Sequence, residues 1–400
     1  MVVLSALFAL VAAVLLLQTL SDLSSLVRIT LSPTRASPQP PTELPSLLFL
    51  VPAHNEELLI EPCVRSLMQL RYPTTRFRVV VIADNCTDRT AALARAAGAH
   101  CLERNDLARP GKPRAIAWAL EQSATQDYDG VVVVDADTVV AADFAVALAQ
   151  AAPLRAKAVQ GYFDVRNRTE SSLTRLATLL AAATHRIAYP LKQRAALNVP
   201  LVGNGFCIGT EVLRTHGWTA FSIAEDWEMY ARLTAAGVEI EGAPKAVVYA
   251  QEARTLRQSW TQRQRWTAGK VTVLARVGPS ILRGRRIGPR QKLDAIAELS
   301  APGPVLHLGL AVALSSLAIA AGLPIGIPLL LSGSLLRPLI YNIAALRLQP
   351  DPVRTLAAFA FLPVYALWRL GAAAAAVTML GDTRWVRTER HGDLPAGPMS

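Results

Sequence analysis

The sequence predicts an α/β domain with a largely parallel sheet and helices on both faces, joined to transmembrane helices at both ends. Three observations carry this reading. Residues 2–20, VVLSALFALVAAVLLLQTL, form an uncharged run, close to the ~20 residues a helix needs to cross a hydrocarbon core. From Ser46 to about Ala250, short β-rich runs alternate with helical stretches, the signature of strands joined by crossover helices. Beyond Pro302 the chain turns apolar again.

The composition agrees. Of 400 residues, 52% are hydrophobic and 18% charged, which is apolar for a soluble protein and too charged for a chain immersed in lipid throughout. A net charge of +11 suits nucleic acid or anionic lipid, and placement decides between them. Eleven basic residues fall between Arg254 and Lys292, beside the apolar C-terminal region, the pattern expected just cytoplasmic of a membrane segment. The expected partner is therefore membrane lipid and not nucleic acid. Cys63, Cys86, Cys101 and Cys207 show no paired spacing and read as reduced thiols rather than a zinc site or disulfide framework.

Element by element, residues 1–30 read as an uncleaved anchor, because no basic residue precedes the apolar run and no small-residue processing site follows it. Arg28 and Arg35 then place the next domain in the cytoplasm, here at a bacterial inner membrane. Residues 31–45 are proline-rich and read as an extended linker. In the domain 46–252 the strand candidates are LLFLV, RVVVIA, GVVVVD and KAVQGYF. The stretches Glu56 to Leu70, Asp88 to Ala97, Pro113 to Gln122 and Ala142 to Ala151 read as helices. Residues 253–300 read as amphipathic interface helices. In 301–380, spans are expected near 304–323 and 325–346, with Arg337 their single charge. The stretch 354–380 is interrupted by Arg369 and either spans or inserts briefly and continues as an interfacial helix from Trp368. Residues 381–400 form a tail.

The residues that carry chemistry lie where the predicted strands end. VVVVDADT puts Asp135 and Asp137 at the carboxyl end of a buried strand, the edge of an open α/β sheet where ligands bind. Carboxylates at i and i+2 can share Mg²⁺ or Mn²⁺, hard cations that also bridge a diphosphate; the competing reading is a solvated turn. Asp84 ends RVVVIAD and is placed to accept hydrogen bonds from a nucleotide base, while Asp88 reads as a helix cap. Glu56, in VPAHNEE, can face the same nucleotide, and His54 reads as a loop histidine. Lys112 precedes a helix whose first amides, Pro113 excepted, can hold a phosphate. In AEDWEMYARL, Glu225, Asp226 and Glu228 start a helix; they favour its dipole but exceed what capping needs, and Asp226 is the candidate base for an acceptor hydroxyl. Gly203, Asn204 and Gly205 form a flexible loop that admits a bulky acceptor. Gln262, Arg265 and Trp266 stand a helical turn apart and share a face. Trp266 offers a stacking surface for a sugar, and Arg265 a charge for a diphosphate; amphipathic packing is the plainer alternative.

In their order, PAHNEE, IADNCTD, GKPRAIA, DAD, GNG, AED and QRQRW resemble the membrane-integrated family 2 glycosyltransferases, the group of cellulose, chitin, hyaluronan and poly-N-acetylglucosamine synthases and ceramide glucosyltransferase. The resemblance covers Leu47 to Trp266 and extends to WVRTER, residues 385–390. It implies a GT-A fold, an inverting reaction and a UDP-sugar donor. By the same likeness Asp84 meets the base, Asp135 and Asp137 the diphosphate and metal, Asp226 is the base, and Glu225, Gln262, Arg265 and Trp266 flank the acceptor and diphosphate. The expected acceptor is a growing polysaccharide, with accessory export or assembly subunits, and the alternative a membrane lipid of ceramide or polyprenyl type. Two departures stand out: AED replaces TED, keeping both acids, and the apolar regions are short for a chain that threads a polymer. WVRTER resembles a cytoplasmic tail motif, which would make 354–380 interfacial or re-entrant. Among other classes, a hydrolase would need two opposed carboxylates, a transporter paired polar groups within its spans, and a scaffold would not need the full carboxylate set.

Overall fold

The computed structural model describes residues 1–32 and 43–380. Most of the proline-rich linker, and the tail with WVRTER, lie outside the described residues.

Every predicted strand forms, and four more join them. The strands are β1 (Leu47–Ala53), β2 (Phe77–Asp84), β3 (His100–Arg104), β4 (Gly130–Val133), β5 (Thr138–Val140), β6 (Ala158–Val165), β7 (Phe206–Gly209) and β8 (Ile240–Ala250). They make one sheet in the order β3-β2-β1-β4-β7-β6-β8-β5. The β3-β2-β1-β4 half is parallel, as the β-branched runs predict. Beyond β4 the sheet is mixed, with β4–β7, β7–β6 and β8–β5 antiparallel and β6–β8 parallel. Four of the seven strand pairings are thus parallel, as expected from sequence, and the three antiparallel ones all lie beyond β4.

Alternation along β1 divides the core in two. Leu47, Phe49 and Val51 pack with Ile60, Val64 and Leu67 on one face. Leu48 and Leu50 pack with Ile116, Met229 and Tyr230 on the other. That second face also takes Val273, Val277 and Ile281 of the long helix Leu256–Arg283. The helix bearing QRQRW is therefore seated on the sheet and reaches the cleft above it.

Backbone contacts inside the sheet are close. A Cβ on Gly209 would come within 2.1 Å of the Leu154 carbonyl oxygen and 2.2 Å of that of Arg155. Gly209→Ala is expected to cost about 3 kcal/mol or more, measured as a fall in Tm or loss of folded yield.

Among the described residues, three helices are long and apolar enough to cross a membrane: Val2–Leu31, Gly326–Leu346 and Pro352–Met379. The first contains the span expected at 2–20, and the second matches the one expected near 325–346 to within one residue. The third is continuous across 354–380, with Arg369 buried inside it. The span expected at 304–323 is instead the shorter helix Pro304–Ala320, bent by 80° from Pro289–Ser300. The sharp break thus falls between Ser300 and Pro304, where Gly303 adopts φ +81°.

Polar contacts fasten these helices to one another and to the sheet domain. The Ser21 hydroxyl donates to Asp294 at 2.7 Å, and Asp294 pairs with the buried Lys192, which also meets Glu298 at 3.0 Å. Arg337 meets Asp22 at 2.6 Å, and the Tyr341 hydroxyl donates to the same carboxylate at 2.8 Å. Buried groups left without these partners would be strongly destabilising, so the anchor helix and the sheet domain hold a fixed relation.

Candidate active site

The predicted acidic residues converge. A cleft of about 910 Å³ opens over the carboxyl ends of β1, β2 and β4 and is lined by Glu56, Asp84, Asp135, Asp137, Glu225 and Asp226. Lys112, Gly203, Gln262, Arg265 and Trp266 complete its polar wall. Asp226 is separated by about ninety residues of sequence from Asp135, and the crossing of the 225–235 helix over the second sheet face closes that gap.

Asp84 sits at the end of β2, 4% exposed. One of its oxygens accepts from Arg104 Nη1 at 2.5 Å and Asn85 Nδ2 at 3.1 Å, and the other from the Gly111 amide at 3.2 Å. The carboxylate is thus largely committed to the protein, leaving limited accepting capacity toward a base. Arg104 ends β3, a strand too short and polar to read from sequence, and its other nitrogen reaches Asp106 at 2.8 Å. Asp88 accepts from the amides of Thr90 at 2.9 Å and Glu57 at 3.1 Å, the structural role expected of it. His54 Nδ1 lies 2.7 Å from the Asp84 carbonyl, a loop contact.

Lys112 is the electrostatic hub. It opens the helix Lys112–Gln122, and its ammonium meets Asp135 at 2.7 Å, Glu225 at 3.2 Å and the Gly203 carbonyl at 2.5 Å. Burial alone would lower its pKa, but Asp135 and Glu225 outweigh burial and the net shift is upward. Lys112 therefore remains a cation at any working pH, holding together three chain segments that sequence separates.

Asp226 begins the helix Glu225–Ala235, and one carboxylate oxygen accepts from the Trp227 amide at 2.8 Å. Burial first, then the neighbouring Glu225 charge, raises its pKa to about 7. A carboxyl poised there can take a proton near neutrality. Lys270, behind it, has its ammonium 4.1 Å over the Trp227 ring and donates to the Ala301 carbonyl at 2.8 Å. Burial lowers the Lys270 pKa to about 8.

The glycine loop needs a correction. Gly203 lines the cleft at φ +79°, and a Cβ there would lie 3.0 Å from Asp226 Oδ2. Asn204 and Gly205 do not line it. Asn204 is buried, accepting from the Asp135 amide at 3.1 Å and donating to Thr138 Oγ1 at 2.7 Å. Its side chain braces the turn that carries Asp135 and Asp137. Gly205 is fitted against Val248, whose Cγ1 a Cβ would meet at 2.7 Å. The loop is thus a rigid brace, not a flexible acceptor gate. Gly203→Ala is expected to lower kcat about tenfold or more by pushing the Asp226 carboxylate aside, while Tm moves by only a few degrees.

On the long helix, Gln262, Arg265 and Trp266 do face the cleft together, and Trp266 is 43% exposed. Its ring is covered by Arg263 at 4.5 Å, itself paired with Glu252 at 2.5 Å. Gln262 Oε1 is buried with no hydrogen-bond partner among the described residues.

For a divalent cation, the donor chemistry fits. Asp135 and Asp137 offer hard oxygens at one strand end, while no group of three or more His, Cys, Asp or Glu gathers as a metal site among the described residues. Two carboxylates alone suit a cation that completes its shell with water and substrate phosphates, as Mg²⁺ does.

Sheet, cleft and carboxylates together define a GT-A glycosyltransferase. Residues 45–269 match the family described as glycosyltransferase like family 2, and the chain belongs to that family. It is 28% identical over 242 residues to a probable glycosyltransferase, YdaM, of Bacillus subtilis (strain 168), covering 58% of this chain and 57% of that one. It is 29% identical over 262 residues to a beta-monoglucosyldiacylglycerol synthase of Nostoc sp., covering 63% and 54%. It is 27% identical over 254 residues to a poly-beta-1,6-N-acetyl-D-glucosamine synthase of Staphylococcus aureus (strain COL), covering 61% and 59%. The matches thus span somewhat over half the length of these relatives. Among solved structures, a mannosyltransferase from Pyrobaculum calidifontis in complex with GDP-Man and Mn²⁺ superposes with a TM-score of 0.61 at 24% identity, over 95% of this chain and 100% of that one, a likeness of fold.

Proposed function

We propose that this enzyme carries out an inverting, metal-dependent transfer of a sugar from a nucleoside diphosphate sugar to a hydroxyl presented at the membrane boundary, with the catalytic domain on the cytoplasmic side of a bacterial inner membrane. The observation that carries this is the meeting of Asp84, Asp135, Asp137 and Asp226 in one cleft. Asp226 takes the proton of the acceptor hydroxyl as that oxygen attacks the anomeric carbon. The nucleoside diphosphate leaves without needing a proton, so one base suffices and the configuration inverts. Mg²⁺ or Mn²⁺ held by Asp135 and Asp137 would offset charge on the diphosphate. Lys112 and Arg265 add fixed positive charge on the same side, and Glu56, with the accepting capacity that Asp84 has left beside Arg104, Asn85 and Gly111, orients the nucleotide.

The acceptor is best read as a membrane lipid. The cleft continues from Asp226 past Lys270 to Pro304, Leu306, Tyr365 and Arg369, residues of the apolar helices. That continuity supports the lipid over the growing polysaccharide that the motif pattern favours. The half-exposed Trp266 supports the polysaccharide as a second reading, since a sugar can stack on it. Purified enzyme in lipid nanodiscs, given a panel of nucleotide sugars with Mg²⁺ or Mn²⁺, separates the two by product mass. A single lipid-soluble product is expected; a ladder of sizes would establish the polymer, and no product from any donor would remove the transferase reading.

A further inference from the structure

The structure assigns an anion-binding subsite to the membrane end of the cleft, built from Arg369 and the amino terminus of the helix Pro304–Ala320. We infer that it takes the phosphate of an acceptor lipid whose headgroup also carries the reacting hydroxyl. This rests on the transferase reading above and narrows its acceptor from lipids in general to phosphate-bearing ones.

Arg369 lies in the helix Leu362–Ala375 and is only 8% exposed. No carboxylate lies within ion-pair reach of it among the described residues; its one hydrogen bond, to Thr267 Oγ1, is long at 3.5 Å, and its Nη1 has no partner. The other guanidinium at this end, Arg263, is already paired with Glu252. An unpaired buried guanidinium among apolar helices is costly, and an anionic ligand is the group that would offset it.

The second observation is independent of the first. Gly303, Pro304, Val305 and Leu306 line the same cleft as Arg369. They start a 17-residue helix in which Pro304 carries no N–H, so that the first-turn amides without an intrahelical acceptor are those of Val305 and Leu306. Such a terminus favours negative charge. Gly309 fixes it beside Arg369: a Cβ there would meet Leu370 Cγ at 3.1 Å and the Ala366 carbonyl oxygen at 3.2 Å. Arg369 and the helix start thus line a single cavity that Asp226 also lines. A phosphate seated at the lipid boundary would leave the rest of the headgroup pointing toward the base. The nucleotide's own diphosphate is assigned elsewhere, at the strand-end carboxylates.

The test uses the full chain in neutral detergent micelles doped equally with phosphatidylglycerol and diacylglycerol, with retained lipid read by native mass spectrometry. Wild type is expected to retain phosphatidylglycerol in preference by about tenfold or more. Arg369→Gln should lose that preference and Arg369→Lys keep part of it, while UDP binding stays unchanged in both and shows that the cleft is folded. A double variant, Arg283→Gln with Arg285→Gln, removes exposed basic charge and should keep the preference, which separates the subsite from general surface attraction. Equal retention of both lipids by wild type, or an undiminished preference in Arg369→Gln, would overturn the subsite. Displacement of phosphatidylglycerol by millimolar inorganic phosphate would overturn the lipid assignment. Absence of UDP binding in wild type would count instead against the transferase reading.

Discussion

Asp226→Asn is expected to reduce kcat by about 10²- to 10⁴-fold while leaving nucleotide binding within about twofold of wild type. The amide keeps the size of the side chain and can still accept from the Trp227 amide, so the helix start should survive. What it loses is the capacity to take a proton. The same group sets the pH dependence. Because burial and Glu225 raise the Asp226 pKa to about 7, its carboxylate form is depleted as pH falls. The wild-type kcat/KM should therefore be flat above pH 7 and drop roughly tenfold per unit below it, since that ratio reports the free enzyme's titration. A stopped assay across pH 5 to 9 (about the range His and raised carboxyls cover) checks this. A flat profile through 7, or near-wild-type turnover by the variant, would take Asp226 out of the role.

Asp137→Asn should have the next largest effect, through the donor rather than the proton. On the proposed mechanism the variant removes one of two hard ligands of the cation on which the diphosphate would depend, and loss of such Lewis-acid stabilisation is worth several kcal/mol, a factor of about 10³ in rate. Added Mn²⁺ should restore part of it, and chelation of wild type should mimic it. The effect should be specific to substrate, because Asp137 lines the cleft and the sheet core does not rest on it. Unchanged Tm with lost turnover is the expected signature, and a fall in both would mark Asp137 as structural.

How much of this was legible in the chain depends on what kind of signal each residue leaves. Three strands of the parallel half are legible because LLFLV, RVVVIA and GVVVVD are short, continuous apolar runs, the last two rich in β-branched residues. The strand HCLER could not, because it is short and half polar, so its stability comes from pairing with β2. With it went Arg104, the partner that fixes Asp84. The carboxylates were legible because each follows a recognisable strand or opens a helix. Their separations were not, and only packing shows that Lys112 joins Asp135 to Glu225. Asn204 defeats a reading from composition for a related reason. A small polar residue between two glycines has the composition of a flexible loop, yet its two hydrogen bonds to the Asp135–Thr138 turn make it rigid. Arg369 was read as an interruption of an apolar stretch. Its burial at the far end of the catalytic cleft follows from the crossing of two helices that no local pattern encodes.

The proposed reaction requires one cleft in which acidic residues hold a cation and a nucleoside diphosphate together. Isothermal titration of the detergent-solubilised protein with UDP, with Mn²⁺ and then with chelator, tests that directly. Binding is expected with Mn²⁺, weakened at least about tenfold by chelation or by Asp137→Asn, and retained in Asp226→Asn. Equal UDP affinity with and without the cation, or no binding under either condition, would contradict it.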